Sequence, residues 1–591
     1  MNYSAIDHKA FDNYCYCLNE NEVRVSLKTG KDIDKVEIVW GDPFDGGVMG
    51  EHGVWGGSVS EIRDCMELES NLLWSIVVAP KFKRLRYYFI IYSGNEKIVF
   101  AESGFSSVED ASSGKYSEFF IFPWMNGADI IQPPEWVKSC VWYQIFPSRF
   151  SKGEYAECKK AFLPWSKLGQ PVSNHECYGG NLQGIIDRLD YLKDLGITGI
   201  YSTPVNQSSS QHKYDTEDYL SIDSDFGTNE TFARLVKEAH ERGIRIMVDG
   251  VFNHCGKEFF AWQDVLKNKE HSKYRDWFFV KDFDIRDGEP NASKGKFYSF
   301  AFVDNMPKLN TNNPEVQDYF IDVCKKWIKD FDVDGLRLDV ANEVSHEFWK
   351  RLYAETKKVK KDFYIVGEIW HNSIPWLREK EFDAVMNYPI QKAISTFLGY
   401  EESTALDLEH NLNRCLSMYY SQTNEVLLNQ MDSHDTIRIT NRLKSTDKAL
   451  CALAILFALP GSVCIYYGTE VLLEGGHDPD NRRCMPWSEI ESGMFDDRIK
   501  FTKKLISLRK NCAALRSSDI KFIREEKSPR VLHFVKKQGG QTPQAIHVYV
   551  NCSKKSFSLG NLSGNKILLS HNLNGNELLD NGFALVLSPE Q

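Results

Sequence analysis

A chain of 591 residues exceeds what one hydrophobic core usually supports, so several domains are expected. The 82 acidic residues outnumber the 71 lysines and arginines, which gives a formal net charge of −11. The basic residues are dispersed among acidic ones and form no cluster with interleaved aromatic side chains, so binding to nucleic acids is not expected.

The sequence also lacks the signals of membrane insertion and secretion. Its longest apolar stretch, residues 449–459, has the size of a buried helix and is too short to cross a membrane. Residues 1–8 contain neither the basic leader nor the apolar core of a signal peptide. The 14 cysteines are scattered without zinc-type spacing, and Cys15 and Cys17 are too close for an ordinary disulfide bond. Reduced thiols and a cytoplasmic location are therefore predicted.

Residues 1–125 have the pattern of an antiparallel β domain. Apolar and polar residues alternate in short runs at 22–27, 36–40 and 85–92. A period of two is typical of strands that bury one face. We predict an N-terminal β-sandwich, with Pro133 and Pro134 in the linker to the next domain.

From about residue 126 to residue 510, apolar strands alternate with helix-sized segments. Strand-like runs include 141–146, 199–201, 244–251, 335–340, 363–369, 426–431 and 464–468, and helical segments include 182–195, 231–242 and 344–361. This is the spacing of strand-helix-strand units in a parallel sheet. We predict an α/β fold that closes into a (β/α)8 TIM barrel. The long, aromatic-rich connection after the third strand predicts an inserted subdomain at about 255–308.

Polar residues are concentrated where the predicted barrel strands end. Arg337 and Asp339 lie two positions apart on one strand, so their side chains share a face and the guanidinium favours an ionised carboxylate. The ends of three other strands supply Asp249, Asn253 and His254, then Glu368 and Trp370, and then His434 and Asp435. Catalytic groups of TIM barrels come from such strand ends. A purely structural ion pair is the alternative for Arg337 and Asp339.

The sequence after residue 510 again alternates in the manner of strands. Runs at 545–550 and 583–587 are rich in β-branched, aromatic and aliphatic residues. Residues 511–591 are therefore predicted to form a small C-terminal antiparallel β domain.

Together, the segments around Asp249, Asp339, Glu368 and Asp435 resemble the signature regions of the α-amylase superfamily of glycoside hydrolases. The finer resemblance is to its neopullulanase, cyclomaltodextrinase and maltogenic amylase branch. It is carried by the sequences MPKLN at 306–310, VANE at 340–343, GGHDPDNRR at 475–483 and MPW at 485–487. Several ordered motifs from about residue 143 to about residue 487 are far more specific than any single one.

The resemblance implies a role for each candidate residue. Asp339 would be the nucleophile, Glu368 the acid and base, and Asp435 a third carboxylate that favours the distorted transition state. The residues that would bind or orient substrate are Tyr214, as an aromatic platform under the sugar, and His254, Arg337, Glu343, Trp370, His434, Asp478 and Arg482. Asp249 and Asn253 would support the strand ends rather than take part in the chemistry.

The implied activity is retaining, endo-type hydrolysis of α-1,4-glucosidic bonds. Its substrates would be cyclomaltodextrins, pullulan, maltooligosaccharides and starch, with maltose or panose as main products and transglycosylation as a side reaction. Three alternatives remain open at this point: a glucosyltransferase with the same machinery, an α-glucosidase, and a non-catalytic binding subunit. A binding subunit need not retain Asp339, Glu368 and Asp435 together, and this chain has all three.

Two further expectations come from the same branch. By analogy, the N-terminal domain would join two subunits into a homodimer. Several members hold calcium just after the first barrel strand, where this chain has Lys152 in the segment 151–158. A lysine cation would repel calcium, which needs six to eight oxygen ligands. We therefore expect neither a bound metal nor any other cofactor.

Overall fold

A computed structural model describes residues 1–45, 55–113, 118–154, 162–538 and 544–589. The chain separates into two compact units. Unit 1 comprises Met1–Gln132 and Leu406–Asn424, and unit 2 comprises Pro133–Ala405 and Glu425–Gln591.

Unit 1 is built on two antiparallel sheets. Its strands are β1 Cys15–Cys17, β2 Val23–Thr29, β3 Lys35–Gly41, β4 Ser58–Ile62, β5 Asp64–Glu67, β6 Leu72–Val78, β7 Leu85–Ser93, β8 Glu96–Ala101, β9 Gly104–Ser106 and β10 Phe120–Phe122. One sheet has the order β1-β2-β6-β5, and the other has the order β4-β3-β7-β8-β9, with β10 also paired to β7. Val25, Leu27, Ile38, Tyr87 and Phe89 contribute to one buried core. The predicted N-terminal β-sandwich is confirmed.

His8 in unit 1 is a buried histidine that the fold keeps neutral. Its Nδ1 lies 2.7 Å from Ser26 O and its Nε2 lies 2.8 Å from Tyr87 Oη. The Tyr87, Phe89 and Phe120 rings pack against the imidazole edge-on. Burial lowers the pKa of His8 from 6.5 to about 4, because this apolar setting penalises the charged form.

This pKa predicts a loss of stability in mild acid. Below about pH 6.5 the unfolded chain binds a proton at His8 that the folded chain binds only near pH 4. The free energy of unfolding contributed by His8 should therefore fall by about 2 kcal/mol between roughly pH 7.5 and pH 5. Denaturant unfolding of wild type and His8→Gln at both pH values measures this difference. An equal pH dependence in the two proteins would contradict the prediction.

Unit 2 contains an eight-stranded parallel barrel. Its strands and those of a small hairpin are β11 Val141–Ile145, β12 Gly199–Ser202, β13 Asn206–Ser208, β14 Thr216–Ile222, β15 Arg245–Gly250, β16 Gly335–Leu338, β17 Tyr364–Gly367, β18 Ala384–Val385, β19 Leu428–Gln430 and β20 Ser462–Tyr466. The barrel order is β18-β17-β16-β15-β12-β11-β20-β19. A parallel bridge from Met386 to Leu428 joins the two ends of this sheet. The predicted (β/α)8 barrel is confirmed.

Helices follow most of the barrel strands. The helices of the chain are α1 Val108–Ser112, α2 Pro147–Phe150, α3 Leu182–Ile186, α4 Leu189–Leu195, α5 Asn229–Glu241, α6 Phe260–Asn268, α7 Pro314–Phe331, α8 His346–Val359, α9 Ile374–Leu377, α10 Tyr388–Gly399, α11 Ala405–Ser417, α12 Ser421–Asn424, α13 Ile439–Leu443, α14 Thr446–Phe457, α15 Trp487–Glu491 and α16 Asp496–Asn511. The sequence suggested one helix over 182–195, but the structure has α3 and α4. Gly184 in α3 approaches the preceding loop so closely that a Cβ there would lie 2.1 Å from Ser151 O.

The connection after β15 contains the predicted insertion, with α6 and several short 3-10 turns before α7. A final antiparallel sheet follows the barrel. Its strands are β21 Lys521–Phe522, β22 Val531–Gln538, β23 Gln544–Asn551, β24 Phe557–Ser558, β25 Lys566–Asn574 and β26 Glu577–Pro589. The order is β21-β22-β23-β26-β24, with β25 also paired to β26. The predicted C-terminal β domain is confirmed as a sheet.

Two further sequence expectations concern membranes and disulfides. Among the described residues, no helix combines the length and the apolar character needed to span a bilayer. No disulfide bond joins any two cysteines in this part of the chain.

Candidate active site

The candidate residues meet at the carboxyl ends of the barrel strands. Asp339 directly follows β16, and Glu368 directly follows β17. Asp249 on β15 is in register with Arg337 on β16. Parallel strands place these ends on one face of the barrel, so residues far apart in sequence face the same space.

Arg337 connects the carboxylates of this face. Its side chain is fully buried. Its Nη1 donates to Asp249 Oδ1 at 3.0 Å and to Asp339 Oδ1 at 2.7 Å. Its Nη2 lies 2.7 Å from Glu368 Oε2 and 4.0 Å from Asp435 Oδ2. One guanidinium thus holds the two predicted catalytic carboxylates side by side, which is compatible with the separation of about 5–5.5 Å in retaining glycosidases.

In this cluster, four carboxyl groups surround the single guanidinium of Arg337. Burial raises the pKa of Asp339 well above its ordinary value, Arg337 opposes that shift, and the neighbouring Glu368 adds to it. Burial likewise raises the pKa of Asp435. Arg337 is therefore the group that favours the ionised form of Asp339, which is the form that a nucleophile needs.

Glu368 is positioned by the turn that follows Asp339. Val340 N–H donates to Glu368 Oε2 at 3.1 Å, and Trp370 Nε1–H donates to Oε1 at 3.2 Å. Val340 has φ 45° and ψ 44°, a left-handed conformation that costs a β-branched residue about 1–3 kcal/mol. The strained turn aims a backbone donor at the predicted acid. The exposed Trp370 ring stacks on Tyr388 at 3.7 Å.

Asp249 is enclosed by donors and does not line the cavity described below. Besides Arg337, it accepts hydrogen bonds from Tyr201 Oη at 2.7 Å and Tyr214 Oη at 2.9 Å. Its side chain is fully buried. This environment suits the supporting role predicted for it.

The two predicted histidines, His254 and His434, are both buried at the site. His434 Nε2 lies 2.5 Å from Tyr214 Oη and 3.1 Å from Asp435 Oδ2, and the Tyr214 and His434 rings are parallel at 5.4 Å. His254 stacks on Phe300 at 4.9 Å. Burial lowers the pKa of His254 to about 3, so its imidazole is neutral. Because its Nδ1 accepts from Asn253 Nδ2 at 3.2 Å, its Nε2 carries the proton.

Arg482 links Asp435 to the rim of the site. Its Nη2 lies 3.6 Å from Asp435 Oδ1, and its Nη1 lies 2.8 Å from Asp478 Oδ1. Its Nε–H donates to His434 O at 3.0 Å. Arg482 is buried, whereas Asp478 is partly exposed. This pair is therefore part of the site rather than an isolated surface ion pair.

A cavity of about 440 Å³ opens over these residues. The predicted residues in its lining are Tyr214, His254, Asp339, Glu368, Trp370, Asp435, Asp478 and Arg482. Four further predicted residues are buried and do not line the cavity, namely Arg337, His434, Asp249 and Asn253. Glu343 is also outside it and pairs with Lys308 at 3.1 Å, while Lys308 contacts the Asn253 side chain. The substrate contact predicted for Glu343 stays a prediction.

Sequence reasoning missed several lining residues, namely Asn174, His212, Phe300, Met306, Val340 and Asn342. Four of them have a sequence signal. His212 lies two residues before Tyr214, Met306 belongs to the MPKLN motif, and Val340 and Asn342 belong to the VANE motif. Asn174 and Phe300 lie in connections whose course depends on tertiary packing, so no local pattern identifies them.

The calcium site known from the resembling branch would lie just after the first barrel strand, where the structure describes residues up to 154. Asn181 Nδ2 donates to Gly153 O at 3.0 Å and to Gly179 O at 3.4 Å. These two carbonyl oxygens, which could otherwise bind a cation, already accept hydrogen bonds. The exposed Lys152 places its Nζ 5.7 Å from the Phe162 ring centroid. Residues 155–158 of the predicted segment lie outside the described residues. Elsewhere in the described chain, no three acidic, histidine or cysteine side chains are grouped as metal ligands would be.

Comparison with known proteins agrees with this geometry. The family model for the alpha amylase catalytic domain matches residues 144–518, and the model for the alpha amylase N-terminal ig-like domain matches residues 1–126. The chain is 43% identical to a cyclomaltodextrinase of Geobacillus thermopakistaniensis over 563 residues, which cover 95% of this chain and 92% of that protein. It is also 43% identical to an intracellular maltogenic amylase of Bacillus subtilis over 512 residues, which cover 86% of this chain and 84% of that protein.

A solved structure of a cyclomaltodextrinase has the same fold. Its TM-score is 0.88 at 35% sequence identity, and the superposition covers 100% of both chains. The chain therefore shares the fold of this enzyme over its full length, and it also has the cluster of Arg337 and carboxylates described above. The chain belongs to the α-amylase family of glycoside hydrolases.

Proposed function

We propose that this enzyme hydrolyses α-1,4-glucosidic bonds of cyclomaltodextrins, pullulan, maltooligosaccharides and starch, with maltose or panose as main products. The observation that carries the proposal is the single buried guanidinium of Arg337, which holds Asp339 and Glu368 side by side next to Asp435. Relatives named as a cyclomaltodextrinase and a maltogenic amylase support the substrate class. The alternatives of a transferase, an α-glucosidase and a binding subunit are not favoured.

The mechanism follows from the position of each group. Asp339 attacks the anomeric carbon, while Glu368 gives a proton to the leaving glycosidic oxygen. Water then attacks the glycosyl-enzyme, with Glu368 as the base, and the product keeps the α configuration. Asp435 faces the same cavity and supplies negative charge that favours an oxocarbenium-like transition state.

Product analysis tests this proposal. The purified protein is incubated with β-cyclodextrin, pullulan and starch, and the first products are separated by chromatography while NMR records their anomeric form. Maltose from β-cyclodextrin, formed first as the α anomer and faster than from starch, is the expected result. Glucose as the first product would indicate an α-glucosidase. No cleavage of any of the three substrates would refute the hydrolase assignment.

We further propose a cytoplasmic homodimer that is joined through the N-terminal domain. The relative from Bacillus subtilis is named intracellular. Unit 1 exposes large apolar side chains, among them Phe44, Phe82 and Trp124, each about half exposed, and such surfaces often mark protein contacts. Sedimentation analysis of wild type and a Phe82→Ser, Trp124→Ser variant tests the dimer. Tyr400→Ser, which alters an exposed aromatic residue of unit 2, is the control that should leave the mass unchanged.

We also propose that the enzyme needs no calcium. Asn181 donates to the carbonyl groups of Gly153 and Gly179 and accepts from Gly184 N–H at 2.8 Å. Its side-chain amide thus connects these backbone segments without a bound ion. Treatment with EDTA should therefore leave the thermal unfolding temperature and the rate of β-cyclodextrin hydrolysis unchanged. A fall in unfolding temperature that calcium alone reverses would contradict the proposal.

A further inference from the structure

Gln144 contacts the catalytic face from inside the barrel. It lies on β11, in register with Tyr201 on β12 and Tyr466 on β20, and it is fully buried. Its Nε2 lies 2.8 Å from His434 Nδ1. In the sequence it is one residue of an apolar strand, and no motif of the site includes it.

The groups around Nε2 of His434 determine which of its two nitrogens carries the proton. His434 Nε2 lies 3.1 Å from Asp435 Oδ2 and 2.5 Å from Tyr214 Oη. The hydroxyl hydrogen of Tyr214 is directed to a third residue, because Tyr214 Oη donates to Asp249 Oδ2 at 2.9 Å. Both neighbours of Nε2 are therefore acceptors, and Nε2 must be the donor.

His434 is neutral, which leaves a lone pair on Nδ1. Burial lowers the pKa of His434 well below its ordinary value, and the nearby arginines add to this effect. A neutral imidazole has one N–H only, so a proton on Nε2 makes Nδ1 an acceptor. The group facing Nδ1 must then be a donor, and the amide NH2 of Gln144 meets that requirement.

We propose that Gln144 is a positioning residue that fixes His434 in the tautomer with its proton on Nε2. This inference rests on the proposed function, since it concerns the same reaction. The other tautomer would direct a nitrogen lone pair at the Asp435 carboxylate and would leave the amide hydrogens of Gln144 without an acceptor. A buried donor left unpaired costs about 1–3 kcal/mol, so the tautomer with its proton on Nε2 is preferred.

The tautomer of His434 is linked to the nucleophile by further hydrogen bonds. With Nε2 as donor, the Tyr214 oxygen accepts from His434, and its hydrogen goes to Asp249. Asp249 in turn accepts from Arg337, which also donates to Asp339 at 2.7 Å. Loss of the Gln144 donor would therefore disturb Asp435 through His434, and Asp339 through the longer series of contacts.

A variant with an acceptor at position 144 tests the role of the amide. Gln144→Glu keeps the size of the side chain and replaces the donor by a carboxylate. The charged and titratable groups that face His434 are Tyr214, His212, Arg337, Glu368, Asp435 and Arg482. Between two carboxylates, His434 should take a second proton at higher pH than in wild type. The pH profile of kcat should therefore change, and kcat should fall by about tenfold or more with a much smaller change in KM.

Gln430→Glu is the matched control. Gln430 lies on the barrel strand β19, which is separated from β11 by β20, and it is equally buried. Its side-chain amide has no hydrogen-bond partner among the described residues. It should keep the wild-type pH profile, whereas a purely structural effect of a buried carboxylate would alter both variants alike. A wild-type kcat and pH profile in Gln144→Glu, or the same losses in both variants, would overturn the proposal.

A measurement on the wild-type protein reports the tautomer of His434 without depending on activity. Long-range proton–nitrogen NMR correlations of protein labelled with 15N-histidine distinguish the two neutral tautomers, and His434→Asn assigns the signal. A proton on Nε2 is expected. A proton on Nδ1 would refute the role of Gln144 even in an active enzyme. Absence of cyclodextrin cleavage with the proton on Nε2 would instead refute the proposed function alone.

Discussion

Asp339→Asn should abolish hydrolysis of β-cyclodextrin, pullulan and starch while the protein stays folded. The variant lacks the carboxylate assigned to attack the anomeric carbon, so kcat should fall by on the order of 10⁴-fold or more. Initial rates at saturating β-cyclodextrin measure the loss. Asp478→Asn changes another carboxylate in the cavity lining, and because Asp478 takes no part in the chemistry it should lose only about tenfold.

The thermal stability of Asp339→Asn should not fall along with its activity. Arg337 keeps Asp249 and Glu368 as partners when Asp339 is replaced, and one carboxylate is removed from a crowded cluster. The thermal unfolding temperature of Asp339→Asn should therefore equal or exceed that of the wild type. A variant that loses activity and also melts well below the wild type would indicate a structural ion pair, the alternative left open by the sequence.

Azide tests the role of Asp339 as nucleophile. Asp339→Ala leaves space beside the anomeric carbon, and azide can attack α-maltosyl fluoride from the face that Asp339 occupied. The expected product is β-maltosyl azide, with inverted configuration, identified by NMR. Failure of azide to restore any turnover in a folded variant, with Glu368 intact, would contradict the assignment of Asp339.

The proximity of Arg337, Asp339 and Glu368 could be predicted because short-range geometry determines their positions. Arg337 and Asp339 are two residues apart on a strand, and Glu368 directly follows the next strand, so the parallel barrel alone brings them together. The order of apolar strands and helix-sized segments was sufficient to predict that barrel. These inferences need only the periodicity of side chains and the direction of parallel strands.

Other features depend on contacts that no local pattern reports. Phe300 reaches His254 from the inserted region, 46 residues away in sequence, and Gln144 reaches His434 across 290 residues. Val340 reads as a β-branched strand residue, yet it turns into a left-handed conformation to direct its N–H at Glu368. Such strain is tolerated only because the surrounding structure stabilises it, and a single sequence gives no sign of it.

Glu368→Gln should separate proton donation from nucleophilic attack. With β-cyclodextrin, whose leaving group needs a proton, kcat should fall by about 10²–10⁴-fold. With α-maltosyl fluoride, whose leaving group needs none, the glycosyl-enzyme should still form on Asp339 and accumulate. Mass spectrometry of the intact protein detects that adduct. Glu347→Gln is the control, because Glu347 is an exposed carboxylate on α8 outside the cavity lining, and it should retain most activity.

Azide gives the decisive comparison between the two carboxylates. In Glu368→Ala, Asp339 still forms the β-linked glycosyl-enzyme, and azide then attacks it from the opposite face. The product should be α-maltosyl azide, whereas Asp339→Ala should yield the β anomer. The two variants remove neighbouring carboxylates that share the Arg337 guanidinium, so a general disturbance of the cluster predicts the same anomer from both. Opposite anomers would therefore assign the nucleophile and the acid separately, and identical anomers would reject the assignment of both.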